Sequence, residues 1–320
     1  MEFSTYQQAA HETSQLPAGG PRAALQPMLG LAFETGSILN VYMRYLRDGI
    51  DMASNLEILR EEIGDLLWYA AEIATASNLD LDEIAVTNLS RIRDRYPSPA
   101  QPVDLTSLPI YDADSPETER FPRTMVFEFI ERTSPSGSVV AAMELVSAEP
   151  NAFKDGPVSL PNGKTAGYAV GKQLGDPLTD NSRHSDGYRY HDAIHFGFMA
   201  VFGWSPNSRA LLRIKRKSDP VKDECEDGAR AIFAEEGLAA VLSKLAKRRL
   251  GFLHEMSVDG EVVEAARAAA ADLEVADAPA WLWRRAIANG FRAYHQLIEN
   301  KGGYLIADLD QRTLTYKKVH

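Results

Sequence analysis

A chain of 320 residues, 45% hydrophobic and 25% charged, has the composition of a globular protein and enough length to bury two cores. Its formal net charge of −11 argues against broad nucleic-acid binding, so no stable nucleic-acid partner is expected; a small anionic substrate stays compatible where a metal or a few arginines reverse the local field. The single cysteine, Cys225, excludes an internal disulfide, no apolar run approaches the roughly 20 residues of a membrane span, and no basic-then-apolar leader opens the chain, so a cytoplasmic protein without a membrane partner is expected.

In chain order, residues 6–14 suit a short helix stopped by the Leu-Pro-Ala-Gly-Gly run at 16–20. A longer helix is expected from about 21–23 to 48, where Gly49 supplies the stop. Ser54 with Glu57 reads as a capping box opening a helix to about residue 77, and Asp80 with Glu83 as a second one, opening a helix that Pro97 closes. Leu81, Ala85, Leu89, Ile92 and Tyr96 form the expected buried stripe of that third helix. Residues 97–122 carry six prolines and read as a linker. Two strand-forming runs, 123–131 and 138–146, flank the turn signal Ser134-Pro-Ser-Gly137. Residues 150–186 are rich in Gly, Asp and Asn and show little periodicity. Helices are expected at 188–202, 207–216, 227–249, 261–273 and 280–300, and a closing hairpin at 304–308 and 313–317. The fold class is therefore an N-terminal all-α helical bundle (1–98), a Pro-rich linker (99–122) and a C-terminal α+β domain (123–320) that is mostly helical with short β-hairpins.

Three helical stripes carry the polar groups of the first hundred residues. Glu34, Ser37, Val41 and Arg44 share one face, at steps of 3, 4 and 3; Glu62, Asp65 and Tyr69 share another, and Asn88, Arg91 and Arg95 a third. If those stripes converge, carboxylates and guanidinium groups enclose a pocket suited to a divalent metal and a polyphosphate. A lone i, i+3 acid pair usually marks a solvated face, and Trp68 and Tyr69 are more often core than base-stacking groups. The mid-helix glycines Gly36 and Gly64, beside the acids, suggest close approach of two helices around a shared ligand.

The blocks Gly30-Leu-Ala-Phe-Glu34-Thr-Gly-Ser37, Arg47-Asp-Gly49, Glu61-Glu62-Ile-Gly-Asp65-Leu-Leu-Trp-Tyr69 and Asn88-Leu-Ser-Arg91-Ile-Arg-Asp-Arg95-Tyr-Pro97 resemble the all-α nucleoside triphosphate pyrophosphohydrolases of the MazG type over about residues 4–97. The resemblance implies Mg²⁺-dependent hydrolysis (Mn²⁺ as a substitute) of a nucleoside triphosphate to monophosphate and pyrophosphate, in a homodimer or homotetramer. It carries the metal motif onto Glu34, Glu62 and Asp65 and places Asn88 and Arg91 beside metal or phosphates. The family's second acid of the first pair is Ser37 here, which brings no charge to a hard cation. Glu61, with Glu62, is then a candidate for the catalytic carboxylates, as extra ligand or as base for the attacking water. Arg44, Arg47, Arg91 and Arg95 are candidates for binding the phosphates.

A second constellation lies downstream. His191 and His195 stand at i, i+4, the spacing of two-histidine metal sites, with Glu226, Glu235 and Glu236 following. Asp192 after His191 excludes the H-E-x-x-H protease signature. Hydrogen-bonded core histidines are the plainer reading. The run Arg209, Arg213, Lys215, Arg216, Lys217 is a solvated face or else a phosphate- or partner-facing patch. Blocks at 174–181, 186–191 and 215–218 resemble the C-terminal extension of longer MazG-like proteins, for which only architecture is implied. Two alternatives to an active pyrophosphohydrolase stand beside it: a nucleotide-binding regulator with weak turnover, and a metal-dependent activity centred on His191 and His195.

Overall fold

A computed structural model describes residues 1–16, 21–97, 103–160 and 163–319, without the side chains of 21–24. The expected stop at 17–20 and the prolines at 99 and 102 lie outside the described residues. The chain divides into two compact units, Met1–Arg93 and Asp94–His320.

The first unit is all helical: α1 (Phe3–Glu12), α2 (Pro21–Asp48), α3 (Leu56–Ala76) and α4 (Leu81–Arg95), the last two residues of α4 falling in the second unit. Its buried apolar core is small, with Ala10, Ala71, Ala74 and Leu81 at its centre and Tyr6 and Trp68 packed against them. Polar ties fasten α1. Gln7 donates to Thr75 Oγ1 and Leu79 O and accepts from Leu81 N, and buried Glu72 accepts from Ser14 Oγ (2.7 Å). The Trp68 indole donates to Thr13 Oγ1, which makes Trp68 a packing residue.

Three local expectations change here. Asp80 does cap α4, accepting from Glu83 N at 3.0 Å, but Ser54 does not cap α3. Asp51 instead caps a 3-10 turn, Met52–Asn55, that runs straight into the helix. A Cβ on Gly36 or Gly64 would meet nothing within 4 Å, whereas one on Gly30 would sit 2.3 Å from the Tyr69 ring, so the tight approach of α2 to α3 is at Gly30. The apolar stripe of α4 is buried at Leu81 only; Leu89, Ile92 and Tyr96 stay exposed. Helical periodicity identifies an apolar face without saying which surface covers it.

The second unit is built on a five-stranded antiparallel sheet of order β5-β2-β1-β6-β7, comprising β1 (Thr124–Thr133), β2 (Val139–Glu149), β5 (Lys172–Leu178), β6 (Gly302–Asp308) and β7 (Thr313–Lys317); β3 (Val158–Ser159) and β4 (Thr165–Ala166) pair separately. The two expected hairpins thus merge, because the closing strand β6 pairs with β1. Met125, Phe127 and Phe129 alternate inward from β1, and Phe127 stacks on Phe196 with centroids 4.2 Å apart. Phe196 belongs to α5 (Asp192–Phe202), followed by α6 (Pro206–Leu212), α7 (Pro220–Cys225), α8 (Ala229–Ala246), α9 (Gly260–Ala269) and α10 (Ala280–Asn300). Helices α5 and α10 cross backbone to backbone: a Cβ on Gly197 would lie 2.6 Å from Ala286 O and 2.8 Å from Gly290 Cα.

The proline-rich residues 103–122 are held within this unit. Buried Arg312 donates to the carbonyls of Leu105, Leu108 and Pro109, Arg216 to that of Tyr111, and Arg209 to that of Glu119. Arg209 and Arg216 are about 1% exposed or less, so the basic run 209–217 divides between these buried arginines and the exposed Arg213 and Lys217. Its remaining members are engaged too: Arg213 donates to Thr165 Oγ1, Lys215 to Asp227 O, and Lys217 pairs with Asp223.

Candidate functional site

Two clusters of ligand-bearing side chains stand out, one in each unit. In the first, α2 turns Pro27, Gly30, Glu34, Ser37 and Val41 toward α3, and Glu62 and Asp65 project from α3 one turn apart. One carboxylate oxygen from each of Glu34, Glu62 and Asp65 lies within 4.8 Å of the others. The pKa of Glu34 is raised, first by burial and then by hydrogen bonding to Glu62 and the charges of Glu62 and Asp65, while the Ser37 hydroxyl stabilises the ionised form. The Tyr6 hydroxyl is pushed up by burial and by Asp65. Three acids held this close repel one another, and a cation relieves that cost.

The other residues singled out in this half are distributed around that cluster. Ser37 is beside Glu34, and Arg44 is half-buried two turns further along the same face. Exposed Arg47 pairs with Asp48 through two hydrogen bonds of 2.6 and 2.7 Å. Glu61 is exposed and is not grouped with the three acids, since its neighbour position on α3 points about 100° away. Asn88 and Arg91 line a shallow groove on α4 with Asp80, Glu83 and Thr87, apart from the carboxylates. Arg95 belongs to the second unit, where its carbonyl accepts from Arg284.

In the second unit, α5 and α8 face each other. His191 is the residue before α5, and His195 lies one turn in. Buried Glu235 of α8 accepts from Ser205 Oγ (2.7 Å), Asn207 N (2.8 Å) and Asn207 Nδ2 (2.9 Å), which docks α8 on the start of α6. Its Oε1 is also 2.9 Å from His195 Nδ1. The next residue, Glu236, places Oε1 3.4 Å from His195 Nε2 and 3.6 Å from His191 Nε2. Burial alone would lower the pKa of His195; the neighbouring carboxylates Glu235 and then Glu236 outweigh it and raise it in the metal-free chain. The two histidines hold the Glu236 carboxyl far below its usual range against the effect of burial. Glu226, expected nearby, stands apart and accepts from Glu274 N.

The turn Tyr188–Tyr190 that delivers His191 is itself clamped. Asp180 accepts from Ser185 Oγ, Asp186 N, Arg189 N and Arg189 Nη1, and Glu131 on β1 accepts from Arg189 Nη2 and Tyr190 Oη. Burial would raise the Asp180 pKa, but these hydrogen bonds outweigh it and hold it at about 2. An acid with a folded pKa below its unfolded value of about 3.9 contributes stability above that value and loses it as pH falls through the folded one. Asp180→Asn should therefore cost about 2 kcal/mol at pH 7, with the difference from the parent chain shrinking between about pH 4 and pH 2. Urea denaturation at pH 7 and pH 3 checks this. Sequence spacing does not reveal the clamp, because Asp180 and Arg189 are nine residues apart across an aperiodic loop.

Fold and clusters together define a two-unit protein: a helical unit presenting a three-carboxylate group, joined to an α+β unit. Residues 162–320 match the family model described as MazG C-terminal domain. Over 101 residues the chain is 31% identical to the Gene 37 protein of Mycobacterium phage L5, an alignment covering 30% of this chain and 89% of that protein. No solved structure matches the chain. The chain belongs to the MazG-like family. Among the described residues no helix is long and apolar enough to cross a membrane.

Proposed function

We propose that the chain is a nucleoside triphosphate pyrophosphohydrolase, converting a (d)NTP and water to the (d)NMP and pyrophosphate with Mg²⁺, or Mn²⁺ in its place, held by Glu34, Glu62 and Asp65. The observation that carries this reading is the convergence of those three carboxylates within 4.8 Å. The raised Glu34 pKa fits a group assembled to receive a cation, and oxygen-only donors suit hard Mg²⁺. When bound, the metal supplies charge neutralisation on the phosphates and lowers the pKa of water. Glu34, Glu62 and Asp65 fix its position on two packed helices. Arg44 lies along the α2 face where it meets a phosphate extending from the acids, and Arg47 reaches phosphate by exchanging its partner Asp48. One carboxylate beside the metal ligands takes the proton of the attacking water: Glu61, if the water lies on its side of α3, and otherwise Glu62.

The test is a screen of the purified protein against standard and damaged NTPs and dNTPs with Mg²⁺ or Mn²⁺, separating pyrophosphate from single-phosphate release. Pyrophosphate from at least one substrate supports the reading; single phosphate alone, or no product, defeats it. No product together with tight nucleotide binding would favour the regulatory alternative that Ser37 keeps open.

The first unit completes itself, in this reading, by homo-oligomerisation. Opposite the acids, α2 carries Leu25, Met28, Leu29, Leu39, Met43 and Leu46, all exposed, and the apolar positions of α4 are uncovered as well. A second copy offers a matching apolar surface through two-fold symmetry, so a dimer or tetramer is expected. Leu39→Glu with Met43→Glu should shift elution from the oligomer to the 35.3 kDa monomer; a wild-type chain already monomeric at micromolar concentration would refute this.

A further inference from the structure

We infer that the second unit holds its own metal site, ligated by His191 Nε2, His195 Nε2 and Glu236 Oε1, and that its occupant is a first-row transition ion of the zinc class rather than Mg²⁺. One ligand atom from each of the three residues lies within 4.8 Å of the others at the α5–α8 junction, in a different unit from the carboxylate triad, and both Nε2 atoms face Glu236 Oε1.

The ring nitrogens are already sorted for ligation. His191 Nδ1 is 2.9 Å from Tyr188 O, and a carbonyl only accepts, so Nδ1 carries a proton and Nε2 is the nitrogen left for a ligand. The Tyr188 ring, stacked on His191 at 4.2 Å and 4°, fixes the plane. His195 Nδ1 lies 2.9 Å from Glu235 Oε1, a carboxylate already anchored by Ser205 and Asn207, which leaves Nε2 as the nitrogen on the side of Glu236. A carboxylate or carbonyl on the far nitrogen of each ligand histidine is the usual support of a metal site.

His195 is 1% exposed, and neither of its ring nitrogens has a well-directed hydrogen bond, although Nδ1 is only 2.9 Å from Glu235. An ion-pair role would bring Glu236 to about 2.7–2.9 Å from a protonated ring. It stands instead at 3.4 Å from one Nε2 and 3.6 Å from the other. Two ligand atoms each about 2.0–2.1 Å from a tetrahedral ion are separated by about 3.3–3.4 Å, close to the spacing seen. Two imidazoles and one carboxylate select zinc-class ions over Mg²⁺, and three protein ligands leave a fourth position for water. Glu236 is the half-exposed member, so that position opens on the solvent side.

The test is Co²⁺ titration of the full-length, chelator-treated chain. One equivalent should develop the intense visible absorption of a four-coordinate cobalt centre, which Zn²⁺ displaces and millimolar Mg²⁺ does not. Six-coordinate Co²⁺ on the oxygen-only triad absorbs only weakly, so Glu62→Gln should leave the band unchanged. Glu236→Gln, at the half-exposed ligand, and His191→Gln should each weaken Co²⁺ affinity at least about 100-fold with unaltered far-ultraviolet circular dichroism. A folded wild-type chain that develops no such band, or a band unchanged in both variants, overturns the proposal. Because the readout is metal coordination, its failure is separate from any failure to release pyrophosphate.

Discussion

Replacing Glu62 by glutamine is expected to reduce pyrophosphate release by about three orders of magnitude while leaving the melting temperature of the metal-free chain unchanged or slightly higher. Loss of a charged ligand from a three-carboxylate group removes several kcal/mol of transition-state stabilisation, and 1.36 kcal/mol is a factor of ten in rate. The stability half of the expectation follows from the Glu34 pKa. Its folded value lies above the unfolded one, so Glu34 binds protons more readily in the folded chain, and stability declines as pH rises through that range. Neutralising Glu62 takes away a carboxylate responsible for part of that shift. Acids that serve folding behave in the opposite way, and a drop in melting temperature with Glu62→Gln would assign the cluster a structural role. Ser37→Glu runs the same argument in reverse: it adds a fourth carboxylate beside Glu34, tightens Mg²⁺ binding and lowers the stability of the metal-free chain. Pyrophosphate assay and calorimetry on the same preparations read both halves.

The carboxylate face of α2 was legible because helical period alone fixes which residues share a side, and Glu34, Ser37, Val41 and Arg44 do share one. What period does not encode is the partner surface. Glu61 and Glu62 are adjacent in sequence, yet a single helical step separates an exposed side chain from one grouped with Glu34 and Asp65. The glycines illustrate the same limit: Gly36 and Gly64 carry the unusual sequence position, while Gly30 carries the steric requirement, set by a tyrosine 39 residues away. In the second unit, His191 and His195 were visible from their spacing, but the choice between Glu226, Glu235 and Glu236 depended on how α8 docks on α6. Strand β6 joins β1 rather than standing as an isolated hairpin, because edge pairing is settled by tertiary topology and not by local propensity. The basic run 209–217 reads as one surface in sequence yet splits in the fold, Arg213 and Lys217 exposed and Arg209 and Arg216 buried, since buried arginines and solvated ones have the same sequence signature.

Those buried arginines lead to the second large effect: Asp227→Ala should destabilise the second unit by about 3–5 kcal/mol. Asp227 is fully buried and accepts from Arg216 N (2.7 Å), Arg216 Nε (3.2 Å) and Arg216 Nη2 (2.7 Å), with Arg209 Nε 3.6 Å away. Burial, and after it the like charge of Arg216, already lowers the Arg209 pKa to about 10. Removing the shared anion leaves two cations in a dry interior, Arg216 with Glu274 at 2.6 Å and Arg209 with buried Asp112 at 3.7 Å as the remaining counter-charges. The cost is that of stranding charge rather than of losing an attractive pair, and a second substitution separates the two. Arg216→Met combined with Asp227→Leu removes both charges while keeping side-chain volume, and should recover most of the loss even though it deletes more hydrogen bonds. The segment 103–122 provides a local readout, since Arg216 and Arg209 also hold the carbonyls of Tyr111 and Glu119. Asp227→Ala should therefore open that segment to proteolysis at denaturant concentrations where the double variant still protects it. Tryptophan fluorescence follows the global transition, because Trp204, Trp281 and Trp283 lie in the second unit and Trp68 alone in the first. A single variant as stable as the parent would mean that Glu274 and Asp112 suffice to neutralise the two arginines, and that the network positions the segment without governing the stability of the unit.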